Sequence, residues 1–463
     1  MKKRLLMFLA AAMLLLSACG EAQTSPTLAA PSEPVNTPIS TDTPQIPDSP
    51  KEVATFDPSA TMEETVLFDE ADVKITATGI KYTAYDVKLN LTIENNTDQN
   101  LSFYAGTLGY SFNSINGYMV DDGYLNTSVG SGKKSNETIS FSVDELTLLG
   151  LTDIADITIG IRVTDDNYSE YLLTGPLQIK TSICDDYNYT EDTYHKAIMN
   201  SGLAKQLGFT VIHHSEDASL DKSGIRILSQ ALIANSSGDE ALMVEVENTS
   251  EDTLYVSVSD IALNGLSVES GTWSVDLIGS GKRRVIALDL TSMQSYPELL
   301  GFDEIGFVAY SVEVLDDEYD TMLKPQGVAF TVPGRTATFD ASGEEVYQQD
   351  GIRIIAKGFA EDPLSFSDDL HVLLLVENNT SGSLRFDVNY KSLSVNGYMT
   401  NFLCFSETVA PGSTGILDVE LQSYSLEDNG ITSLDDISEV EMTIEIKNDS
   451  YKTIAEPVIT ISG

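Results

Sequence analysis

Apolar and polar residues alternate along most of the chain after residue 62, as they do in β-strands that bury one face. One segment shows this clearly, because its apolar side chains all fall on a single face of an extended chain: Val87, Leu89, Leu91 and Ile93. No segment in this part of the sequence carries the apolar period of a long amphipathic helix. The pattern therefore predicts an all-β protein.

The same strand pattern occurs three times with nearly the same letters. The copies read DVKLNLTIENNT at 86–97, EALMVEVENTS at 240–250 and DLHVLLLVENNT at 369–380. An alternating strand precedes each copy, at 73–80, 225–232 and 352–359. Since the elements recur in a fixed order, the chain contains three copies of one unit.

Turn sequences also recur in each copy. An Asn-Gly pair, which tolerates the positive φ angles of a tight hairpin, occurs at 116–117, 264–265 and 396–397. A second turn follows as GSGKK at Gly130, GSGKRR at Gly279 and APGSTG at Ala410. The last strand of each copy lies beside Pro176, Pro325 or Pro457. Because proline cannot donate to a sheet, we expect these last strands at sheet edges.

Seven or so short strands over about 115 residues, joined by turns, are typical of a two-sheet sandwich. A β-barrel is the alternative, but no feature of the chain indicates closure. The hallmarks of an antibody domain are missing, because Trp273 is the single tryptophan and no copy contains a cysteine pair. Any immunoglobulin likeness is therefore to the wider sandwich class.

The repeat limits divide the chain into three predicted domains, at 63–181, 182–334 and 335–463. The sequence Ala-Thr-Phe-Asp precedes copies one and three, at 54–57 and 337–340, so we expect a short lead-in strand before each. Copy two differs, because Thr193–Leu207 predicts a short helix that ends at Gly208. We interpret this helix as a connector packed between copies one and two.

The N-terminus has the features of a bacterial export signal. Three basic residues at 2–4 precede an apolar run of 12 residues, and small residues then lead into Cys19. The run is too short for the roughly 20 residues that a membrane-spanning helix needs. Leu16–Cys19 resembles the lipobox of bacterial lipoproteins, which implies that the signal peptide spans 1–19 and that Cys19 is lipidated. The alternative is an ordinary signal peptide with a cysteine near its cleavage site.

Residues 20–62 are rich in Ser, Thr, Ala and Pro and contain eight prolines. Few apolar side chains are present to offset the cost of ordering the segment, so we predict a disordered, partly polyproline-like tether. The predicted fold is thus all-β, with three tandem immunoglobulin-like β-sandwich domains after a signal peptide and a disordered linker.

The chain is strongly acidic, with a formal net charge of −45 that becomes about −48 without the three basic residues of the signal. Such a surface repels nucleic acid and anionic lipid headgroups. We therefore expect no nucleic-acid partner and a membrane contact only through the N-terminal lipid. Attraction of cations or of a basic partner is possible, but solubility in a salty extracellular setting is the favoured interpretation.

A family resemblance follows from these motifs. The lipobox, the tether, and repeated strands with VENNT at 376–380, VNGYM at 395–399 and PVITI at 457–461 resemble uncharacterised extracytoplasmic lipoproteins of Gram-positive bacteria. The resemblance covers residues 1–20 and 63–463. It implies immunoglobulin-like sandwich domains with no assigned activity, and Cys19 is the one functional position that it carries over.

The four histidines are weak candidates for chemistry. His213 and His214 are adjacent on an extended segment and should point to opposite sides, so solvated imidazoles are favoured over a metal site for these two and for His195. His371 takes the strand position of Lys88 in copy one, and we expect it to face solvent.

The GSGK turns do not form a phosphate-binding loop, because Thr127 stands where the first glycine is required and no helix follows. Their basic residues remain local positive spots, which is a weak indication of an anion or interdomain contact: Lys133, Lys134, Lys282, Arg283 and Arg284.

Acidic doublets occur on several turns, where Asp is also favoured for local hydrogen bonds. Loop carboxylates can hold Ca²⁺, although no EF-hand spacing is present. We expect no metal site, and the weak calcium candidates are Asp165, Asp166, Asp316, Asp317 and Asp320.

Tyrosines recur after two turns of the repeat, at Tyr168, Tyr319 and Tyr451 and at Tyr118 and Tyr398. Recognition of a partner is one interpretation, but packing at each sandwich end is favoured. Cys184 and Cys404 fall in different predicted domains and are expected to be independent thiols.

We expect a non-enzymatic, lipid-anchored protein on the extracytoplasmic face of the cell membrane, without a cofactor, whose sandwiches bind or space an unknown extracellular protein or glycan. The alternative is an accessory hydrolase or ligand-scavenging lipoprotein with a site at a domain junction, around residues 185–214. A polar pocket there would favour the alternative, and a helix-filled junction would favour the first hypothesis. A calcium-rigidified spacer is a third possibility.

Overall fold

A computed structural model describes residues 56–106, 112–217, 219–268, 274–290, 297–301, 304–361 and 369–463. Within these ranges the chain is predominantly β, and several sheets form sandwich-like domains. The predicted all-β sandwich fold is confirmed. The signal peptide with Cys19, residues 20–55 of the predicted tether, and Trp273 lie outside the described residues.

The described part of the first sandwich contains ten strands: β1 (Thr65–Glu70), β2 (Val73–Tyr82), β3 (Asp86–Asn95), β4 (Leu101–Ala105), β5 (Ser114–Ile115), β6 (Tyr118–Met119), β7 (Leu125–Val129), β8 (Lys133–Ser142), β9 (Asp156–Thr164) and β10 (Glu170–Lys180). One sheet has the order β1-β2-β3-β8. In the facing sheet, β9 pairs antiparallel with β4, β5 and β10, and β4 also pairs with β7.

The second sandwich has ten strands within its described ranges: β11 (Phe209–Ser215), β12 (Asp221–Lys222), β13 (Ile225–Asn235), β14 (Glu240–Asn248), β15 (Leu254–Leu263), β16 (Leu266–Val268), β17 (Ser274–Ile278), β18 (Arg283–Asp289), β19 (Phe307–Leu315) and β20 (Thr321–Thr331). The first of its sheets has the order β11-β13-β14-β18. In the other sheet, β15 pairs with β16, β17 and β19, and β19 pairs with β20.

Outside residues 362–368, the third sandwich contains twelve strands: β21 (Glu344–Gln349), β22 (Ile352–Glu361), β23 (Leu370–Asn378), β24 (Leu384–Val388), β25 (Ser394–Val395), β26 (Tyr398–Met399), β27 (Phe402–Cys404), β28 (Glu407–Val409), β29 (Ser413–Leu421), β30 (Glu439–Asn448), β31 (Thr453–Ala455) and β32 (Val458–Ser462). Its first sheet has the order β21-β22-β23-β29. The strand β30 is the centre of the facing sheet, because it pairs with β24, β25, β31 and β32.

Short helices connect some strands. They are α1 (Val143–Leu148), α2 (Thr193–Ile198), α3 (Ser201–Leu207), α4 (Pro297–Leu300) and α5 (Ser423–Glu427), with 3₁₀ turns at Cys184–Asp186 and Leu434–Asp436. The predicted connector helix is present as two pieces, α2 and α3. Gly208 ends α3 in the left-handed conformation with φ 90°, as predicted.

The asparagine of the repeated Glu-Asn sequence ends the corresponding strands β3, β14 and β23, which are called the shared strands. The Asn95 amide nitrogen donates to the carbonyls of Gln99 and Val129, each at 2.8 Å. Asn248 and Asn378 make the same pair of bonds in their own copies. Because this buried amide ties the first sheet to the following turn and to the end of a strand in the facing sheet, the motif has a structural explanation.

The predicted turns and edges are confirmed. Asn and Gly of each Asn-Gly pair have positive φ, from 49° at Asn116 to 95° at Gly265, as a tight hairpin requires. The strands β10 and β20 pair with one neighbour each, and β32 pairs only with β30 among the described strands. The proline in or beside each of these edge strands therefore interrupts no hydrogen bonding in the centre of a sheet. The lead-in strands β1, β11 and β21 each pair with the next long strand.

The predicted tether extends too far toward the first domain. Residues 57–60, expected to be disordered, are hydrogen-bonded to the first sandwich. The Asp153 carboxylate accepts from the backbone N–H groups of Ser59 and Ala60 at 3.0 and 3.1 Å, and Asp57 N–H donates to the Thr152 carbonyl at 3.2 Å. One carboxylate on the folded domain thus orders residues whose composition alone indicates disorder.

Three clusters of buried hydrophobic side chains fill the three sandwiches. Two of them continue across a domain junction: the first cluster includes Ala231 and Met243 of the second sandwich, and the second includes Ile355, Leu373 and Leu375 of the third. No helix in the described ranges is long and apolar enough to cross a membrane.

Candidate functional site at the first domain junction

Two sheets from neighbouring sandwiches join at each junction. At the first junction β6 pairs in parallel with β18 through Tyr118 and Arg283, and at the second β16 pairs with β29 through Leu266 and Thr414. Tyr118 and Leu266 both follow an Asn-Gly turn. Arg283 and Thr414 lie opposite the glutamate of the Glu-Asn motif in their own copies. The two junctions therefore use the same positions of the repeat.

The outward faces of the shared strands differ between copies. In β3 this face is half-exposed and consists of Lys88, Asn90 and Thr92. The residues at the same positions of β14 are Ala241, Met243 and Glu245, and those of β23 are His371, Leu373 and Leu375; all six are buried. The second and third copies thus bury both faces of this strand, because the preceding sandwich covers the outer one.

His371 corrects one sequence prediction. We expected it to face solvent, but it is 5% exposed and its Nδ1 lies 2.9 Å from the Asp418 carboxylate. The prediction is wrong because the comparison with Lys88 assumed an open outer face in every copy. That face is open in copy one and covered in copy three.

The connector fills the first junction with helices. The Thr193 hydroxyl at the start of α2 donates to the Leu149 carbonyl at 2.8 Å, and Tyr194 is completely buried. A side chain at Gly150 would collide with the Thr193 carbonyl, so only glycine allows this close approach. The junction is therefore a closely packed interface that is occupied by the helices α2 and α3.

Arg283 is the centre of a charged cluster at this junction. Its guanidinium lies 3.3 Å from Glu247, 3.8 Å from Glu245 and 3.9 Å from Asp192. It also donates to the Tyr118 hydroxyl at 3.3 Å, and its Cζ lies 5.9 Å from the centre of that ring. The expected interdomain contact of Arg283 is confirmed.

Glu245 is a fully buried carboxyl group within this cluster. Burial, followed by the nearby charge of Asp192, raises its pKa to about 8, although Arg283 and a hydrogen bond from Ser229 oppose the shift. Copies one and three place Thr92 and Leu375 at the same position. Glu245 is therefore present only in the second of the three copies, and the sequence signal for it is a charge between the apolar residues Val244 and Val246.

Arg284 forms a second ionic link across the junction. Its guanidinium contacts Asp276 of its own sandwich and Asp121 of the first. The expectation of an interdomain role is thus correct for this residue also. Lys133 and Lys134, at the corresponding turn of copy one, are exposed.

The connector also brings together three side chains with metal-ligating atoms. His195 lies on α2, His214 lies on β11, and Glu216 follows that strand; one ligand atom from each lies within 4.8 Å of the other two. The His195 Nε2 is 3.2 Å from the Glu216 carboxylate, and the two imidazole rings are 4.9 Å apart. Among the described residues, no other three His, Cys, Asp or Glu side chains bring their ligand atoms this close together.

His213 points away from this group, as predicted for adjacent residues on a strand. Its ring lies 5.5 Å from Phe330. The expectation of solvated imidazoles is wrong, because His195, His213 and His214 are all half-buried. Burial lowers the pKa of His213 and His214, and the neighbouring His195 lowers that of His214 further.

Glu216 was missed at the level of sequence, although a signal was present. His214 and Glu216 are two residues apart on an extended chain, so their side chains share a face. His195 could not be assigned to that face, because its position depends on how α2 packs against the strand.

Two of the calcium candidates, Asp165 and Asp316, accept backbone hydrogen bonds within their own turns. Asp165 accepts from the backbone N–H groups of Asn167 and Ser169 at 2.8 and 2.9 Å, and Asp316 does the same for Glu318 and Asp320. Asp166 accepts from the Asn100 amide at 3.2 Å and lines a polar groove of about 510 Å³ with Asp165. Asp316, Asp317 and Asp320 lie in a different sandwich from Asp165 and Asp166, and the expectation that these weak candidates bind no calcium stays a prediction.

The recurring tyrosines differ in how far their side chains are exposed. Tyr118 is 3% exposed and packs at the first junction, so the packing interpretation is correct for it. The same interpretation is wrong for Tyr398, at 56%, and for the exposed turn tyrosines Tyr168 and Tyr451. Tyr319 is 62% exposed but stacks on Tyr255 with the ring centres 4.8 Å apart, which agrees with local packing. Cys184 and Cys404 are free thiols, as expected, and burial raises the pKa of Cys404 to about 12.

The chain matches no known protein family, and no curated protein sequence is significantly similar to it. Among solved structures, a protein of unknown function from Porphyromonas gingivalis is 13% identical, with a TM-score of 0.14, over 48% of this chain and 89% of that one. Red sea bream transglutaminase is 11% identical, with a TM-score of 0.14, over 57% of this chain and 31% of the enzyme.

The exo-chitosanase of Amycolatopsis orientalis is 6% identical to the chain, with a TM-score of 0.16, over 87% of this chain and 78% of that one. TM-scores this low support no conclusion about the fold or the activity of the present protein.

Proposed function

We propose that the protein is a lipid-anchored, non-enzymatic protein of the cell surface. In this proposal its three sandwiches act as one coupled module that spaces and presents a binding surface to an extracellular protein or glycan. The observation that carries the proposal is the burial of the outer faces of β14 and β23, together with the sheets that continue across both junctions.

Coupling follows from the size of the buried residues. Met243 at the first junction and Leu373 and Leu375 at the second are at most 5% exposed. Burying a side chain of this size is worth about 1.5–3 kcal/mol relative to leaving it in water. Domains joined by a flexible linker would expose these side chains, whereas packed junctions keep the sandwiches at fixed positions. A spacer needs this property.

The outward surfaces of the first and third sandwiches carry polar residues at positions that are apolar at the junctions. The outer face of β3 has Lys88, Asn90 and Thr92. At the other end, α5 is followed by Asp428 and Asn429, whereas the corresponding positions of copy one are Leu148 and Leu149. Repeat arrays need such polar terminal units for solubility.

Attachment to the membrane is supported by the sequence at residues 1–62. Leu16–Cys19 resembles a lipobox, and the segment that follows is rich in proline. The net charge of −45 disfavours a polybasic membrane contact and a nucleic-acid partner. A lipid on Cys19 is therefore the proposed anchor.

The alternative of an accessory hydrolase or ligand-scavenging protein is less well supported. The first junction is filled by α2 and α3, with Tyr194 completely buried. The polar groove described above is lined by the strands β4 and β7 and the turn at 165–168 of the first sandwich, and not by residues of the connector. A filled junction is the arrangement that the spacer hypothesis predicts.

The test is the location of the full chain and of its Cys19→Ser variant in the native host. We expect the wild type in the membrane fraction and the variant in the medium or retained as an unprocessed precursor. A Ser17→Thr variant, which keeps the cysteine, is the matched control and should stay with the membrane. Tight membrane association of Cys19→Ser after its signal peptide has been removed would contradict the proposed lipid anchor. Cross-linking on intact cells, followed by identification of partners, then tests the binding role.

A further inference from the structure

We propose that His195, His214 and Glu216 form a binding site for a divalent transition-metal ion such as Zn²⁺, which clips the connector helix to the second sandwich. This site goes beyond the spacer function and does not depend on lipidation.

The donor set selects the class of metal. Two imidazole nitrogens and one carboxylate oxygen are ligands for Zn²⁺, Cu²⁺ or Ni²⁺, whereas Ca²⁺ and Mg²⁺ prefer oxygen donors alone. Zinc–ligand distances of about 2.0–2.1 Å place tetrahedral ligand atoms roughly 3.3 Å apart. The three ligand atoms already lie within 4.8 Å of one another, so small side-chain rotations bring them into range.

Unpartnered nitrogen atoms in the group provide a second, independent observation. The Nδ1 of His195 and the Nε2 of His214 are both buried and have no hydrogen-bond partner among the described residues. Buried polar atoms without partners are rare, because each one loses its bonds to water on folding. A metal ion accepts the lone pair of such a nitrogen and removes this cost.

The site remains accessible to an ion from solvent. The Glu216 side chain is 66% exposed, so one side of the group is open. Three protein ligands leave a fourth position for water in a tetrahedral site. The strongly acidic chain also raises the local concentration of cations.

The position of the ligands determines what the metal does. His195 lies two residues after Thr193, which is bonded to the first sandwich, and Tyr194 between them is buried in the core of that sandwich. His214 lies on β11, which pairs with β13 of the second sandwich. An ion bound to both histidines therefore joins α2, docked on one sandwich, to a strand of the next.

The chain offers a control residue next to a ligand. His213 precedes His214 but its ring packs against Phe330 on the other side of β11. His213→Ala removes one imidazole without touching the group, whereas His214→Ala removes a ligand. Any effect of general histidine content or of a disturbed β11 would appear in both variants.

The experiment uses the full mature chain after treatment with a chelator. Calorimetric titration with ZnCl₂ should show one ion per chain, and Co²⁺ should give the visible absorption of a tetrahedral site. His195→Ala, His214→Ala and Glu216→Ala should each weaken Zn²⁺ binding at least about tenfold, as loss of metal-site groups typically does. His213→Ala should bind as the wild type does, and far-ultraviolet circular dichroism verifies that each variant is folded.

Two further measurements separate this site from the acidic turns. Zn²⁺ should raise the thermal unfolding temperature of the wild type but not of His214→Asn, while Ca²⁺ should raise neither. Binding should weaken as the pH falls through the range in which imidazole gains a proton. No zinc binding, equal binding by the wild type and His214→Ala, or an equal loss in His213→Ala would overturn the proposal.

Discussion

The backbone N–H of Arg283 donates a hydrogen bond to the carbonyl oxygen of Gly117 at 2.9 Å, which joins a sheet of the second sandwich to a sheet of the first. The Arg283 side chain reinforces the link through the Tyr118 hydroxyl. Gly117 belongs to a hairpin whose positive φ angles require Asn-Gly. A local turn signal of the sequence thus determines where two domains meet.

Hydrogen exchange should report this link. We expect the amide of Arg283 to exchange on the order of 10²-fold more slowly than that of Lys134, because core hydrogen bonds open far less often than exposed ends. Lys134 is the matched control, since it follows the same turn in copy one, where the strand β8 is an edge of its sheet. Exchange by nuclear magnetic resonance or mass spectrometry measures both, and equal rates would argue against a stable junction.

The covered outer face of β23 leads to a prediction on stability. Leu373→Asn introduces the residue that copy one has at this position, and it should lower the free energy of unfolding by about 2–5 kcal/mol, because it removes a buried leucine and buries an amide. Leu373 is completely buried. Denaturation by urea measures the change.

The reverse substitution serves as the control for that prediction. Asn90 lies on the half-exposed face of β3, so Asn90→Leu should change stability by no more than about 0.5 kcal/mol. If both substitutions had similar effects, the outer faces of the two copies would be equally exposed, and the coupled array would be refuted.

The alternation of apolar residues was sufficient to predict the strands, the Asn-Gly hairpins and the sandwich class. It was not sufficient for the junctions, because contacts between copies depend on which outer faces are covered. The information was nevertheless present: Asn90 and Thr92 in copy one correspond to Leu373 and Leu375 in copy three. Alignment by the inner face alone led to the wrong expectation for His371.

The candidate metal ligands show the same limit. The spacing of His214 and Glu216 follows from period two, but the third ligand comes from a helix whose packing depends on tertiary contacts. Thr193 and Tyr194 dock α2 on the first sandwich, and this docking sets the position of His195. Sequence spacing contains no information on such a contact between separate elements.

Gly150 should be sensitive to substitution because of its neighbour. Gly150→Ala places a methyl group against the Thr193 carbonyl, so the start of α2 must move away from the first sandwich. We expect a loss of about 2 kcal/mol or more in the free energy of unfolding, from backbone strain at φ 71° together with this overlap. Chemical denaturation measures the loss.

Gly430 is the matched control for Gly150. It occupies the corresponding turn of copy three with φ 77°, and an added side chain would meet no atom of the described residues within 4 Å. Gly430→Ala should therefore show only the cost of the left-handed conformation, about 1 kcal/mol. Equal losses in the two variants would mean that α2 does not pack closely on Gly150.

The buried carboxyl group of Glu245 should make stability depend on pH. Its pKa is raised to about 8 in the folded protein, chiefly by burial, whereas an unfolded glutamate has a pKa of about 4.3. Between these values the folded state retains a proton that the unfolded chain has lost. The contribution of this group is therefore complete below about pH 4.3 and is lost as the pH rises toward 8, with a slope of up to about 1.4 kcal/mol per pH unit.

Glu245→Gln isolates this effect, because glutamine keeps the shape, remains neutral at every pH and can still accept the hydrogen bond from Ser229. Urea denaturation at a series of pH values from 5 to 9 should show that the variant loses less stability than the wild type as the pH rises. As the pH falls toward 4, where the carboxyl group is protonated in both states, the stabilities of the two proteins should converge. Arg283 faces Glu245 at 3.8 Å and opposes the shift, so the slope of the wild type reflects the balance of burial against this charge. Identical slopes for the two proteins would show that Glu245 is ionised in the folded state and that Arg283 compensates its burial fully.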